Sequence, residues 1–252
     1  MTDSPNPSDP DQTIVAANGE PATTLTVATL GDQLRPALLS VLSLTLLTGA
    51  LFPLMLFLLA RTMFPTQAKG SLVTRDGVII GSNLIGQNFT SPAYFHPRPS
   101  AAGAGYDAAA SGGTNLGPAN PKLKDGATDD PKTADADESF AGIRQLTEEY
   151  RKQNALAPEV AVPIDAVTRS GSGLDPHISP ANAALQIARI SRTRGLSTDV
   201  VRSLVARHTR GRQLGLLGEP RVAVLPLNLE LDRTAPPSNP ASPQGSSRPE
   251  SR

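Results

Sequence analysis

A glycine-rich stretch, residues 100–123, carries the first group of residues that could do chemistry. It contains the tripeptide Ser111-Gly112-Gly113, whose glycines let the backbone bend and expose N–H groups that can cradle an anion such as phosphate. A dinucleotide-binding fingerprint is incomplete, because residues 103–108 end in alanine and no clear strand leads into them. A Walker phosphate loop is excluded, since neither Gly-Lys-Ser nor Gly-Lys-Thr occurs in the sequence. The tripeptide predicts either contact with a nucleotide from one side or a set of tight turns.

Residues 167–180 form the second candidate, because they hold Ser170, Ser172, Asp175 and His177. These are the residue types of a serine-hydrolase triad. A nucleophile elbow requires Gly-x-Ser-x-Gly, however, and position 170 is a serine. The spacing favours side chains that bond the local backbone ahead of the next helix. Contact with a partner protein is the second interpretation of this loop, and catalysis is the third.

Composition excludes several other kinds of site. The chain has no cysteine, which excludes disulfides, iron–sulfur clusters and thiolate zinc sites. Its histidines, His96, His177 and His208, lack the paired spacing of metal ligands, so we expect no metal. With 23 basic and 23 acidic residues the formal net charge is zero, which argues against a general nucleic-acid binder. Of the 252 residues, 38% are apolar, enough for a core of modest size.

The longest apolar run, residues 36–60, contains no charged side chain and is bracketed by Arg35 and Arg61. About 20 such residues suffice for a helix to cross a bilayer. A cleaved signal peptide fits poorly, because the preceding segment is acidic and the apolar run is about twice the length of a signal's apolar region. The sequence therefore predicts one transmembrane helix over residues 35–61.

Small residues recur every four positions inside this span, at Val41, Thr45 and Gly49. Small side chains let two helices approach closely, so this stripe predicts packing against a partner helix. The alternative is a helix surrounded by lipid, in which the stripe faces nothing. Pro53 removes one backbone hydrogen bond and predicts a kink.

The remaining chain reads as one mixed α/β module over residues 62–233, between proline-rich tails at 1–34 and 234–252 that we expect to be disordered. An acidic stretch at about 124–137 is expected to be a flexible insert. The fold class is thus a single N-terminal transmembrane helix followed by an α/β domain.

Local signals place several elements of the module. Asp76-Gly77 between short apolar runs predicts a β-hairpin. Ser179 and Ser197 are each expected to cap the start of a helix, and Gly195 to end the first of them. Residues 224–232 alternate apolar and polar, which predicts a half-buried edge strand.

Arginines crowd the stretch from residue 189 to 212, where Asp199 is the single acidic residue. A solvated helical face is the default interpretation of this run. A docking surface for an acidic partner is the second, and contact with lipid headgroups is the third. The arginines are Arg189, Arg192, Arg194, Arg202, Arg207, Arg210 and Arg212.

Three strings of unusual composition carry a family resemblance: SNLIGQNFTSPAYFHPRPSAAGAGYDAAASGGTNLGPANPKL, VPIDAVTRSGSGLDPHISPANAALQIARI and GLLGEPRVAVLPLNLELD. Together with the membrane span, they resemble the C subunit of the Kdp potassium-transporting ATPase, the KdpC family, over about 35–123 and 138–232. The resemblance implies a single-span subunit of a bacterial inner-membrane complex. Its implied partners are a channel-like subunit that binds potassium, a P-type ATPase subunit that hydrolyses ATP, and membrane lipid.

The resemblance further implies a role in assembly and stability of the complex. A second implied role is that of a catalytic chaperone, which raises the ATP affinity of the ATPase subunit. By the same resemblance, the nucleotide contact would lie at Ser111, Gly112 and Gly113. The phosphorylation motif Asp-Lys-Thr-Gly is absent, so we expect a non-catalytic subunit without a firmly bound cofactor. Potassium is then cargo of the complex, and ATP belongs to the ATPase subunit. A generic membrane-anchored periplasmic binding module, or an anchored serine hydrolase, is the alternative.

Charge and resemblance disagree about topology. Arg61, Lys69 and Arg75 follow the span while Arg35 precedes it, which favours a cytoplasmic C-terminal side. The architecture of the family puts the module outside the cytoplasm. Long domains translocate largely regardless of charge, so we expect the bulk of the chain to be extracytoplasmic.

Overall fold

The structure, a computed structural model, describes residues 30–127 and 140–236, and the chain divides into two units between Pro65 and Thr66. The tails and the acidic insert expected to be disordered lie almost entirely outside the described residues. Of the two tails, the described parts are residues 30–34, which begin the first helix, and residues 234–236, which follow directly on the last helix or end it.

The first unit is built on one continuous helix of 34 residues, Leu30–Met63, which is long and apolar enough to cross a membrane. It consists of α1 (Leu30–Leu46), a π-helical turn (Leu47–Leu51) and α2 (Phe52–Met63). The helix begins five residues before the predicted span of 35–61 and ends two residues after it. Its apolar window is not buried within the chain, so its surface is available to lipid or to another protein.

A π-helical turn, Leu47–Leu51, lies just before Pro53, where the sequence predicts a kink. Proline has no N–H to donate to the carbonyl four residues earlier. Just before it, the Phe52 N–H reaches back five residues to the Leu47 oxygen. The Thr48 hydroxyl donates to the Leu44 oxygen at 2.7 Å, which ties that side chain to its own helix. Gly49, in the predicted stripe, lies inside this widened turn.

The second unit mixes helices with short strands, as predicted. The elements that follow the span are, in chain order, α3 (Pro65–Ala68), β1 (Leu72–Arg75), β2 (Val78–Ser82), α4 (Pro121–Asp125), α5 (Ile143–Asn154), a 3-10 turn (Ile164–Ala166), β3 (His177–Ile178), α6 (Pro180–Arg194), α7 (Thr198–Arg207), β4 (Thr209–Arg210), β5 (Arg221–Ala223) and α8 (Val224–Thr234). Strands β1 and β2 form one antiparallel pair, and β3, β5 and β4, in that order, form an antiparallel sheet.

The predicted hairpin and helix starts are confirmed. Asp76 and Gly77 have φ angles of 53° and 78°, the left-handed pair that a tight hairpin turn requires. The Ser179 hydroxyl accepts the Asn182 N–H at 3.0 Å at the start of α6, and Gly195 ends that helix with φ 65°. Ser197 caps α7 in the same way. These elements follow from short-range chemistry, which explains why the sequence predicts them.

The strand predicted over residues 224–232 is wrong, because these residues form the helix α8. A short run with apolar residues at 225, 227, 229 and 231 satisfies a period of two and also leaves a helical face. Pro226 lies in the first turn of α8, where its missing N–H has no partner to lose. The positions that α8 buries have helical spacing: Val224, Leu225, Leu227, Asn228 and Leu231.

The main core lies among α6, α7, α8 and the β3–β5–β4 sheet. Its fully buried members include Phe95, Ile178, Ile190 and Leu204. A smaller cluster forms around Tyr150 beneath α5. Phe95 stands apart from the others because it belongs to neither a helix nor a strand.

Residues 92–96 carry irregular backbone into this core, and side-chain amides supply its hydrogen bonds. Asn228 accepts the Phe95 N–H at 2.9 Å and donates to the Phe95 oxygen at 3.0 Å. The Gln186 side chain likewise accepts the His96 N–H at 2.8 Å and donates to the His96 oxygen at 3.1 Å. Each amide thus acts as the neighbouring strand would, and no buried backbone group of Phe95 is left unpaired.

Arg189 fastens the same segment and corrects the expectation that this arginine lies on a solvated face. The residue is only 3% exposed. Its Nη1 donates to the oxygens of Pro92 and Tyr94 at 2.5 and 2.9 Å. Its Nε donates to the Asn154 side chain at 3.0 Å. Burial lowers the pKa of Arg189 to about 10, which still leaves it charged at neutral pH.

Arg194 is the second arginine of that run to be buried, with a side chain that is 0% exposed. Its Nε donates to the Ala93 oxygen at 2.7 Å, and its Nη1 lies 2.9 Å from the Asp232 carboxylate of α8. Its guanidinium also stacks on the Tyr94 ring at 4.6 Å. The two arginines therefore clamp residues 92–96 between α6 and α8.

Replacing Asn228 by alanine tests this arrangement. Asn228→Ala leaves the N–H and C=O of Phe95 buried without partners, and each such group costs about 1–3 kcal/mol. We expect the free energy of unfolding of the full chain in detergent, followed by circular dichroism, to fall by about 2–4 kcal/mol. The control Asn83→Ala is at an exposed position and should change it by less than about 0.5 kcal/mol. Equal stability of the two variants would contradict the role of the Asn228 amide.

Candidate functional site

The structure brings the two candidate loops together, although 61 residues separate Ser111 from Ser172 along the chain. The Ser111 hydroxyl donates to the Ser172 carbonyl oxygen at 2.9 Å, and the Gly112 N–H donates to the same oxygen at 2.9 Å. We call residues 100–113 and 167–177 the loop pair. The sequence singles out both loops but does not predict this contact.

Glycines allow the close approach within the loop pair. A Cβ at Gly113 would lie 3.0 Å from the Gly171 oxygen. Gly173 is buried with φ 67°, and a Cβ there would lie 2.7 Å from the Ala102 nitrogen. The Ser100 hydroxyl donates to the Gly173 oxygen at 2.6 Å and closes the contact. The glycines are therefore needed for backbone packing, which is the structural-turn interpretation of this stretch.

Arg98 links the loop pair to the segment 92–96, and the sequence analysis missed it. Its Nη1 donates to Asp175 Oδ2 at 3.0 Å, and its Nη2 donates to the Thr168 oxygen at 3.3 Å. The Arg98 carbonyl oxygen accepts the Tyr106 hydroxyl at 2.5 Å. The available signal was a charged residue between two prolines, in a stretch from Gly77 to Tyr106 with no other Asp, Glu, Lys or Arg.

The predicted loop residues do not assemble a hydrolase triad among the residues that the structure describes. The Ser172 hydroxyl accepts the Leu174 N–H at 3.1 Å and lies 3.4 Å from the Ser170 hydroxyl, and neither serine is bonded to the His177 ring. Asp175 Oδ1 accepts the His177 N–H at 3.0 Å and lies 3.6 Å from Nδ1. The geometry is that of side chains bonding local backbone.

Asp175 stays ionised in this setting. Partial burial opposes its ionisation, but hydrogen bonds from His177 and from Arg98 outweigh burial and lower its pKa below the usual range. The carboxylate therefore remains a permanent acceptor for Arg98 at neutral pH. That ion pair holds loop 167–177 against the backbone around Arg98, which directly follows residues 92–96.

Asp165 is a second residue that the sequence analysis missed. Its carboxylate accepts the N–H and the hydroxyl of Ser179, both at 2.8 Å, and Asn182 Nδ2 at 3.0 Å. Asp165 thus joins the 3-10 turn to the start of α6. The Asn182 side chain continues inward to the Tyr150 hydroxyl at 2.8 Å, so the loop end is bonded to the smaller core.

A cleft of about 490 Å³ lies beside the loop pair. Its walls include His96, Arg98, Tyr106, Tyr150 and Gln153, whereas none of the predicted site residues lines it. Burial, and then the charge of Arg189, lower the pKa of His96 to about 4, so its ring is neutral at pH 7. Burial raises the pKa of the Tyr106 hydroxyl, which stays protonated. The cleft thus presents a neutral imidazole and protonated phenol hydroxyls at neutral pH.

The donors of the Ser-Gly-Gly loop that could bind an anion are already hydrogen-bonded within the chain. A phosphate at Ser111-Gly112 would have to displace the Ser172 oxygen, because both donors already bond it. Within the described ranges, 30–127 and 140–236, no group of three or more His, Asp or Glu side chains could hold a metal. The predicted helix-packing stripe Val41, Thr45 and Gly49 lies on the exposed surface of the apolar helix, in the other unit.

Comparison with known proteins gives one consistent result. Residues 34–233 match the family model described as KdpC, the c chain of the K+-transporting ATPase. The chain is 50% identical over 199 residues to the potassium-transporting ATPase KdpC subunit of Koribacter versatilis, which covers 78% of this chain and 92% of the relative. It is 49% identical over 201 residues to that of Mycobacterium tuberculosis, covering 80% and 98%. With the Gemmatimonas aurantiaca protein it shares 50% over 202 residues, covering 80% and 92%.

Gly173→Ala tests whether backbone packing defines the loop pair. The new Cβ would lie 2.7 Å from the Gly112 oxygen at a φ that alanine rarely adopts, and overpacking of this kind costs about 1–3 kcal/mol. We expect a loss of that size in the free energy of unfolding. Gly117→Ala is the matched control, because a Cβ at Gly117 meets no atom within 4 Å. Should both variants unfold alike, the glycines would not be holding the loops together.

Proposed function

Since the chain belongs to the KdpC family, the c chain of the K+-transporting ATPase, we propose that it is the non-catalytic accessory subunit of this complex. In this role it is needed for assembly and stability with a channel-like potassium-binding subunit and an ATP-hydrolysing subunit. Potassium is the cargo of the complex. ATP binds the ATPase subunit, and we expect the isolated chain neither to hydrolyse ATP nor to conduct potassium.

One observation carries the non-catalytic role: the groups that could do chemistry are bonded within the fold. Ser111 and Gly112 donate to the Ser172 oxygen, and Asp175 holds Arg98 and the His177 N–H. A loop pair locked in this way offers a rigid surface to a partner. It lacks the mutual orientation of nucleophile and base that acyl transfer requires.

The proposed placement is a single span in the bacterial inner membrane with the module outside the cytoplasm. The apolar helix Leu30–Met63 supports the span. Arg61, Lys69 and Arg75 favour the opposite side, but a domain of this length translocates largely regardless of such charges. An extracytoplasmic module cannot touch cytoplasmic ATP. Any rise in the ATP affinity of the ATPase subunit is therefore transmitted through the assembled complex.

Two contacts with the channel-like subunit follow from this arrangement. The helix packs through its small-residue stripe, and the module covers part of the channel subunit's external mouth. There it holds the entrance loops or shapes the field that an arriving cation meets.

A cleft of about 490 Å³ also fits the alternative, a membrane-anchored periplasmic binding module. Such a module would purify from membranes alone, without a channel or ATPase partner.

Gly49→Leu tests the stripe. A Cβ at Gly49 lies 3.9 Å from Thr45 Cγ2, an ordinary contact, so the chain's own helix accepts a side chain there. A leucine would instead block close approach of a neighbouring helix. We expect a tagged Gly49→Leu chain, coexpressed with the other subunits, to copurify at least several-fold less of them. Ala50→Leu, one position along and on another face, is the control. Undiminished copurification of Gly49→Leu would refute helix packing at this stripe.

A double variant of the Ser-Gly-Gly loop tests direct nucleotide contact. Ser111→Ala with Gly112→Ala spares Gly113, whose Cβ would be crowded, whereas a Cβ at Gly112 meets its nearest atom at 3.9 Å. Because we propose an indirect effect on ATP affinity, we expect the KM for ATP of the assembled pump to be unchanged. Gly117→Ala, in the same loop, is the control. A several-fold rise confined to the double variant would place the loop on the nucleotide.

A further inference from the structure

The connection between β4 and β5 presents leucines to solvent. Residues 211–220 are all exposed. Leu214, Leu216 and Leu217 are 94%, 76% and 56% exposed, and we call these three side chains the leucine tip. A short ladder supports it, since the Gln213 N–H donates to the Leu217 oxygen at 2.8 Å and the reverse bond is 2.9 Å. The tip is thus a hydrogen-bonded turn whose apolar side chains are left exposed by the residues that the structure describes.

The backbone of the leucine tip adopts φ angles that are unfavourable for leucine. Leu214 has φ 54° and Gly215 has φ 74°. The left-handed region is unfavourable for a bulky side chain such as leucine. Strain of this kind, combined with exposure of apolar area, is typical of segments that are built to contact something else.

Two arginines lie opposite each other at the base of the tip. Arg210 of β4 and Arg221 of β5 are directly paired in the antiparallel register. Like charges at such a position repel and destabilise the strand pair. Within the described part of the chain, neither guanidinium has a carboxylate at ion-pair distance, whereas Arg212 and Arg207 are each paired, with Glu219 and Glu230. An anion bound between Arg210 and Arg221 would relieve the repulsion.

An apolar turn that joins two strands ending in arginines without a carboxylate partner among the described residues has the chemistry of a phospholipid site. Leucines enter the boundary of the acyl chains while arginines meet the phosphates. A protein partner fits less well. Protein interfaces bury about 20–30 residues on each side, and their strongest contacts favour Trp, Tyr and Arg over Leu. The tip presents three leucines on a turn of a few residues.

Chain connectivity tethers the second unit to the apolar helix of the first. Thr66, the first residue of the second unit, follows Met63, the end of the apolar helix, by three positions. Binding of the tip to the same bilayer is therefore intramolecular, and a weak contact suffices when the effective concentration is high.

We propose that the leucine tip inserts into the membrane in which the chain is anchored, with Arg210 and Arg221 binding the phosphates of anionic lipids. This contact would give the chain a second attachment to lipid besides the apolar helix. The proposal requires the helix to be in a membrane and is independent of the role of the chain as a pump subunit.

Fluorescence of a labelled tip tests the insertion. The chain has no cysteine, so Leu216→Cys gives a single attachment point for an environment-sensitive dye. With the full chain in nanodiscs, we expect a blue shift and quenching by brominated acyl chains. Both should be larger with phosphatidylglycerol than with phosphatidylcholine alone. The same dye at Ala184→Cys, exposed on α6, should show neither effect.

Emission typical of water in both lipid compositions would overturn the proposal. So would a blue shift that is seen only after the other pump subunits are added, since that result would identify a protein as the cover of the tip. Because Leu216 is 76% exposed and lies outside the core clusters, Leu216→Cys should leave the fold of the module intact.

A charge variant tests the arginine pair. Arg210→Gln with Arg221→Gln removes the repulsion between strands and should leave the fold intact, which circular dichroism checks. We expect it to lose more than half of the extra blue shift that phosphatidylglycerol causes at the labelled tip. Arg202→Gln, exposed and paired with Asp199 at 2.6 Å, is the matched control and should retain that shift. An unchanged lipid preference in the double variant would remove the arginines from the site.

Discussion

The fold depends on satisfying the backbone of residues 92–96, which enters the main core without helix or strand. Buried N–H and C=O groups must be paired, and here side chains far along the chain pair them. Asn228 lies 133 residues from Phe95, and Gln186 lies 90 residues from His96. Arg189 and Arg194 bond further carbonyl oxygens of this segment. Side chains of α6 and α8 therefore hold residues 92–96 in place.

The loop pair inherits its position from this segment. Two residues after His96, Arg98 reaches the Asp175 carboxylate, and the glycines then let the two loops meet backbone to backbone. Rigidity of this kind fits a subunit that offers a fixed surface to its partners. The apolar helix and the leucine tip differ from the loop pair, since both expose apolar surface that no other described part of the chain covers.

Errors in the sequence-based predictions have a common physical origin. The hairpin at Asp76-Gly77 and the helix start at Ser179 were predictable, because their signals lie within four residues of the bond that they explain. Helix α8 was not, since its apolar spacing satisfies two periods and only packing against α7 and β5 selects one. The buried state of Arg189 and Arg194 was equally hidden. An arginine next to polar residues is normally solvated, and its partners here come from a distant segment.

The sequence by itself determined the elements whose causes are local: the membrane-length helix, the hairpin, the capped helices and the strings that mark the family. It also singled out the loops around Ser111 and Ser172 as unusual. Only the tertiary structure decided that these loops touch and that Asp175 pairs with Arg98 while His177 bonds neither serine. It also decided that the leucines near residue 214 are exposed among the described residues. The reason is physical: each of these outcomes depends on contacts between residues far apart in the chain, and no local pattern encodes which distant group will be there.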